Sequence, residues 1–217
     1  MKILVIGFDP FGGESINPST EVLKKLPDYI NGNKIIKCEI ETVAYKSLDK
    51  IKNIIIDEKP DIVLSLGQAG GRKTISVEKV AINLNDFRIK DNEGNQIIDE
   101  KIFDDGDTAY FSTLPIKAIV KKLIDNNIPA TISYSAGTFV CNHVMYGVLY
   151  MCERYFPNIK SGFIHIPFIK EQVKDLDTPY MHLEDIVCGV ILSIEAIIEN
   201  DIDIKVIGGN THWLLGI

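Results

Sequence analysis

Four cysteines, four histidines and a scatter of acidic residues are the side chains from which this chain can build a reactive centre. Cys141 stands out by its position. It lies in the run SYSAGTFVCNH, residues 133–143. Upstream, Ala130, Ile132 and Tyr134 alternate with polar neighbours; downstream, Val144, Val148 and Cys152 recur at helical spacing. Gly137 lets the backbone turn sharply between the two. The pattern predicts a short strand, a tight turn and a helix with the cysteine at its start. Unpaired N–H groups and the positive end of the helix dipole there would favour the thiolate, the nucleophilic form of the side chain. A lone cysteine is also commonly a small buried hydrophobe, so its partners decide the matter.

A cysteine nucleophile needs a base. His143, two residues on, would fall on a different face of the same helix. His182 precedes a helix beside Pro179 and Tyr180 and reads as a surface or capping residue; His212 sits in a patternless tail. His165 differs: it ends the apolar run FIHIP, and in an alternating strand–helix fold the strand ends present reactive groups. The imidazole in turn needs an orienting acid. Glu78 is the candidate, a single carboxylate among the apolar residues of ISVEKVAIN. A carboxylate on a half-buried strand demands a partner. That partner is either a histidine or a cation such as Arg72 or one near Lys79.

Several elements must position these groups. Residues 2–6 read as a buried first strand. Asn17 and Pro18 form an N-cap and first helical position, opening a helix with Val22, Leu23 and Leu26 inward. A strand over 35–43 precedes a helix capped by Ser47, with Leu48, Ile51, Ile54 and Ile55 on one face and Pro60 as its stop. A third strand covers 61–66 and a loop 67–71, then a strand 75–84. Asp91-Asn92-Glu93-Gly94 predicts a hairpin over 88–97, and residues 99–113 read as irregular. Ile116, Ile119, Val120, Leu123 and Ile124 mark a helix, 161–166 a strand and 183–198 a last long helix. This alternation predicts one α/β domain over residues 1–217, a three-layer α/β/α sandwich around a mainly parallel twisted sheet, with 201–217 left without a pattern.

Composition narrows the classes. Hydrophobic residues make up 46% and charged residues 24%, which suits a globular core and argues against disorder. A net charge of −7 without a basic stripe disfavours nucleic acid. The N-terminal apolar run meets Asp9-Pro10 with no cleavage signal, and the longest later run, residues 186–192, is too short for a bilayer. The cysteines form no CxxC or disulfide-like framework, which points to a reducing cytoplasm.

The runs GQAGGRKTISVEKVAIN (67–83) and SYSAGTFVCN (133–142) closely resemble the two signature segments of the pyroglutamyl-peptidase I, or pyrrolidone carboxyl peptidase, family. GFDPFGG (7–13), NPS (17–19), RIKDNEGNQ (88–96) and GFIHIP (162–167) are similar to it as well, so the likeness runs to about residue 172. The resemblance implies a cysteine peptidase that removes an N-terminal pyroglutamyl residue without metal or cofactor, on an α/β/α sandwich assembled as a homotetramer. It implies Cys141 as nucleophile, His165 as base and Glu78 as orienting acid. It further implies Phe8 and Phe11 flanking the pyroglutamyl ring, with Asn17, Thr42, Phe139 and Val140 nearby and Gln68 and Arg88 close to the oxyanion. Such a substrate is a flat neutral lactam, which suits aromatic covers and a few polar partners.

Two rival readings remain to be set against the structure. One is a non-catalytic phosphate or nucleotide binder using the glycine-rich loop 67–73, although Arg72 stands where a phosphate-binding loop needs glycine before its lysine. The other is a zinc hydrolase using Cys141, His143 and His165, whose spacing fits no familiar ligand pattern. Cys188, on the last helix, is placed where an intersubunit disulfide is conceivable, and a free thiol is the expectation in a reducing compartment.

Overall fold

The computed structural model describes residues 1–175 and 177–208. Short runs rich in Ile, Val and Leu form the strands, and their order fixes everything above them. The strands are β1 (Lys2–Phe8), β2 (Tyr29–Ile30), β3 (Asn33–Ile40), β4 (Ile62–Gln68), β5 (Ile75–Glu78), β6 (Val80–Ile82), β7 (Ala109–Phe111), β8 (Ala130–Ser133) and β9 (Lys160–Ile166). Seven of them make one sheet in the order β2-β3-β1-β4-β9-β5-β8; β6 and β7 pair separately. β3, β1, β4 and β9 run parallel, and β5 and β8 run parallel to each other. The two blocks meet antiparallel at β9 and β5, joined by two rungs, Ser76 with His165 and Val77 with Ile164.

The helices are α1 (Pro18–Lys25), α2 (Lys46–Glu58), α3 (Ile116–Asp125), α4 (Val140–Tyr155) and α5 (Leu183–Glu199). Central strands are apolar on both faces because both are covered. On one face Ile3, Val5, Leu64, Leu66, Ile164 and Ile166 meet α1, α3 and α5. On the other, Leu4, Ile6, Phe8, Val63 and Phe163 meet α2 and α4. Each fully buried aliphatic or aromatic side chain contributes roughly 1.5–3 kcal/mol. The three-layer α/β/α arrangement is the one expected from the sequence.

Four local expectations are revised. The single strand over 75–84 is two strands on different sheets, divided at Lys79, whose N–H bonds Ser133 O at 2.7 Å while its carbonyl accepts from Ser112 N at 2.9 Å. The loop at 67–71 begins later, since β4 continues to Gln68. Ser47 does not cap α2. The helix starts at Lys46, Tyr45 holds the cap position at φ +57°, and Ser47 is buried inside the first turn. The segment 88–97 turns at Asp91–Gly94 as expected, with Gly94 N–H on Asp91 O at 3.0 Å, but forms no strands: few backbone bonds cross it, among them Asp91 N–H to Asn95 O at 2.9 Å. It curls around Asp91, whose carboxylate accepts the N–H groups of Ala44, Glu93 and Asn95 and the Asn95 side-chain amide. Trp213, Leu214, Leu215 and His212 lie outside the described residues.

Candidate active site

The helix that carries Cys141 begins as expected. Gly137 takes φ +80°, Phe139 is the extended N-cap without a side-chain cap bond, and Cys141 is the second residue of α4. First-turn N–H groups of such a helix have no intrahelical acceptor and face whatever sits before the helix. Two buried neighbours pin this turn. Asn142 bonds the backbone at the end of β6 and just beyond it: Ile82 N–H donates to its Oδ1 at 3.0 Å, and its Nδ2 donates to Ile82 O at 2.9 Å and Leu84 O at 3.0 Å. His143 Nε2 accepts from Tyr45 N–H at 2.9 Å, and its Nδ1 meets Asn85 Oδ1 at 2.9 Å. Those partners assign the proton to Nδ1. Burial pulls the His143 pKa down to about 4, against a small opposing effect of the Asp91 charge, so the ring is neutral. In the sequence His143 was weighed only as a base or a zinc ligand, and Asn142 was not singled out. With both ring nitrogens engaged away from Cys141, His143 does not converge with Cys141 and His165 as a zinc site requires. Among the described residues no group of three or more His, Cys, Asp or Glu is arranged to hold a metal.

Alternation along the strands brings the other two groups beneath α4. Phe163 belongs to the core on the α4 side and Ile164 and Ile166 to the opposite one, so His165 points toward α4. Gly67 is the direct rung partner of His165 across β4 and β9. A Cβ built on Gly67 would lie 3.0 Å from Cys141 Sγ and 2.6 Å from the Phe163 ring. The sulfur therefore sits over the Gly67–His165 rung, in space that only glycine leaves open. Ser76 is opposite His165 on β5, and Glu78 lies two residues further on the same face. That diagonal closes into a hydrogen bond, His165 Nδ1 to Glu78 Oε1 at 2.7 Å, with Glu78 fully buried. The bond leaves Nε2 as the free nitrogen of the imidazole.

The electrostatics define the resting state. Burial works to raise the Glu78 pKa, but the hydrogen bond and charge of His165, with help from Arg72, more than offset it and keep the carboxyl below its usual range. Burial lowers the His165 pKa; Glu78 opposes that and Arg72 adds to it. Cys141 keeps some exposed surface, yet burial pushes its thiol up to about 12, with the Glu78 charge adding and Arg72 opposing. The helix start was expected to favour a thiolate. Burial outweighs that effect, and the free site holds a thiol beside a neutral imidazole.

The remaining candidates fall into distinct places. Phe11 is half-buried and packs on Phe139 at 5.9 Å, and Phe139 packs on Phe87 at 4.8 Å. Phe8 is 1% exposed, so its ring offers no free face; it lies against Phe163 at 6.1 Å, beneath the site. Val140 is fully buried. Asn17 is occupied as a cap: its Oδ1 accepts from Ser19 N and Oγ, and its Nδ2 donates to Asp9 O. Thr42 Oγ1 donates to the same carbonyl at 3.2 Å, while Thr42 N–H donates to Asp9 Oδ1 at 2.7 Å. Asn17 and Thr42 thus fix the loop that carries Phe11. Gln68 alternates to the opposite face from Gly67, and its Oε1 accepts from Gln172 Nε2 at 2.8 Å. Arg88 is exposed on the 85–100 loop, next to Phe87. Arg72 is not available to cradle an anion, because its guanidinium is bound to Glu78 at 2.8 Å.

Comparison with known proteins identifies the family. The family model for pyroglutamyl peptidases matches residues 1–200. This chain belongs to the pyroglutamyl peptidase family. A pyrrolidone-carboxylate peptidase of Clostridium perfringens is 58% identical over 210 residues, covering 96% of this chain and 99% of that protein. One of Treponema denticola is 60% identical over 214 residues, with 96% and 99% covered. Among solved structures, pyroglutamyl peptidase I of Bacillus amyloliquefaciens superposes with a TM-score of 0.91 at 45% identity, covering 94% of this chain and 99% of that one. The pyrrolidone carboxyl peptidase of Thermococcus litoralis gives 0.88 at 39% identity, with 94% and 99% covered. The family's fold is the one described above. No helix among the described residues is long and apolar enough to cross a membrane.

Proposed function

We infer that the protein is a cysteine peptidase that hydrolyses the bond after an N-terminal L-pyroglutamyl residue. Family membership over residues 1–200 supports the activity. The observation that carries the residue assignment is the buried 2.7 Å Glu78–His165 pair, one rung from the sulfur of Cys141. In the reaction Cys141 Sγ attacks the pyroglutamyl carbonyl carbon, and its proton passes to His165 Nε2. The oxyanion forms against free N–H groups of the first turn of α4. The imidazolium, held by Glu78, gives its proton to the departing amine. Water then attacks the thioester, His165 takes its proton, and pyroglutamate leaves as the thiol is restored.

The substrate's lactam ring is flat and uncharged. Phe11 and Phe139 are the aromatic surfaces nearest the nucleophile's helix start, with Phe8 as the floor under Phe163. An ammonium group in such a slot costs several kcal/mol in lost hydration, so glutaminyl and prolyl N-termini are excluded. The deciding experiment is release of a fluorescent amine from an L-pyroglutamyl amide, before and after thiol alkylation and in Cys141→Ala. Activity surviving in Cys141→Ala, or equal cleavage of prolyl amides, rejects the assignment. A homotetramer is proposed with it, supported by exposed Ile124, Tyr134, Val206 and Ile207 gathered beside the free edge at β8; light scattering in solution tests it. A cytoplasmic location is proposed from the four free cysteines, Cys188 exposed among them.

A further inference from the structure

Glu78 Oε1 has two partners, not one. His165 Nδ1 reaches it at 2.7 Å from β9, and Arg72 Nη1 reaches it at 2.8 Å from the connection between β4 and β5. Arg72 has a second attachment, Nη2 to Ser135 O at 3.4 Å, in the turn that leads from β8 to the helix start bearing Cys141. One guanidinium therefore ties the carboxylate under the imidazole to the segment that delivers the sulfur. We propose that Arg72 is a positioning residue of this peptidase, which shares Glu78 Oε1 with His165 and thereby sets both the aim and the basicity of the imidazole.

The physical argument rests on where the charge goes. A carboxylate oxygen that accepts only from an imidazole directs its full negative charge at that ring and makes it a stronger base. Arg72 divides that charge. It also places a permanent cation on the far side of the carboxylate, which disfavours the imidazolium and favours a thiolate. Both effects run in the stated directions in this site: the Arg72 charge lowers the pKa of His165 and that of Cys141. The charged or titratable groups facing His165 are Glu78 from β5, Arg72 from the β4–β5 connection and Cys141 from α4. The flanking positions on β4 and β9, Gly67 and Phe163, carry no charge. Arg72 is about one-third exposed, so water weakens its pull without abolishing it. Its planar fork also holds two acceptors in a fixed geometry, which the compact, freely rotating ammonium of lysine does not reproduce.

The test is the pH profile of kcat/KM on an L-pyroglutamyl amide for the wild type, Arg72→Ala and Arg72→Lys, with thermal unfolding as the folding control. The acid limb reports the imidazole becoming protonated and ceasing to accept the thiol proton. Loss of Arg72 removes a repelling cation, so in Arg72→Ala the limb moves to higher pH, kcat falls about tenfold and KM stays within twofold. Arg72→Lys retains the charge, keeps the limb near its wild-type position and recovers part of kcat. If Arg72→Ala fails to fold, Arg72→Gln takes its place with the same expectations. A wild-type acid limb in the neutral variant overturns the proposal even if the rate falls, since a merely structural residue would do the same. Equal displacement in Arg72→Lys overturns it as well. The proposal rests on the Cys141–His165–Glu78 assignment. Activity in Cys141→Ala rejects that assignment whatever the Arg72 profiles are, whereas the limb position rejects only the role of Arg72.

Discussion

Glu78→Gln is the sharpest probe of the site, because it changes charge while leaving shape almost untouched. In the wild type the buried carboxylate accepts from both His165 and Arg72. Both bonds meet at one oxygen, Oε1, and an amide oxygen in that place can still accept both, but it no longer carries the charge that stabilises an imidazolium. A buried charge-assisted bond of this kind contributes about 1.5–3 kcal/mol, and loss of the enforced tautomer adds to it. Together these correspond to a kcat reduced by roughly a hundredfold to ten-thousandfold. KM should stay within about threefold, since Glu78 lies below the sheet surface and touches no substrate. The sign of the pH effect is also fixed. Glu78 opposes the burial that lowers the His165 pKa, so its removal lets that pKa fall further and moves the acid limb to lower pH. This is opposite to the direction expected for Arg72→Ala. Stopped-flow and steady-state kinetics on one pyroglutamyl amide from about pH 4.5 to 9 read all three quantities, across the ordinary range for carboxylates and imidazoles. A kcat within threefold of wild type, or a limb displaced upward, would refute the reasoning that Glu78 acts through His165.

Three further outcomes are expected. Because burial pushes the Cys141 thiol up to about 12, its rate of alkylation by iodoacetamide, measured in a Cys188→Ser background to silence the exposed thiol, should climb continuously through neutrality; a flat plateau over pH 5–7 would mean a preformed thiolate. Phe11→Ala should raise KM roughly tenfold with kcat changed less than threefold, as an aromatic cover acts on ground and transition states alike, and a loss confined to kcat would contradict the slot. His143 has a folded pKa below its unfolded value, so its contribution is complete above pH 6.5 and is lost as pH falls toward 4, amounting to about 2 kcal/mol by pH 5. The decline in melting temperature between pH 7 and 5 should therefore be shallower in His143→Gln, and an unchanged slope would remove His143 from the account.

The large periodic elements were legible because one force writes them. Ile116, Ile119 and Leu123 on α3, or the mostly apolar run of β4, reflect burial against a covered sheet and little else. The three candidate groups, which the structure brings together, were legible for a related reason: each is a polar side chain at a strand end, within a strand or at a helix start, where an apolar residue would have been cheaper to bury. What escaped notice depends on pairing across the chain. Nothing in ISVEKVAIN marks the break at Lys79, because alternation continues while the hydrogen-bond partners switch from β8 to β7. Ser47 has the right type for a cap, but the bond from Tyr45 N–H to His143, 98 residues away, sets where α2 begins. Asn142 was not singled out and His143 was weighed only for chemistry; their bonds to residues about sixty to a hundred positions away make them the pegs of the helix. Arg72 was weighed as the alternative partner of Glu78 to a histidine; the carboxylate accepts both.

The antiparallel junction of β9 and β5 has a consequence for motion. Seven rungs bind β9 to β4, but only two bind it to β5. The sheet is thus two rigid plates meeting at a narrow seam, with the base on one plate and its carboxylate on the other. Parting of that seam by a fraction of an ångström would separate His165 from Glu78 while both plates stayed folded. The proposed His165–Glu78 pairing thus depends on a backbone junction of only two rungs, and the arginine that crosses to the turn before α4 is a clasp over the gap.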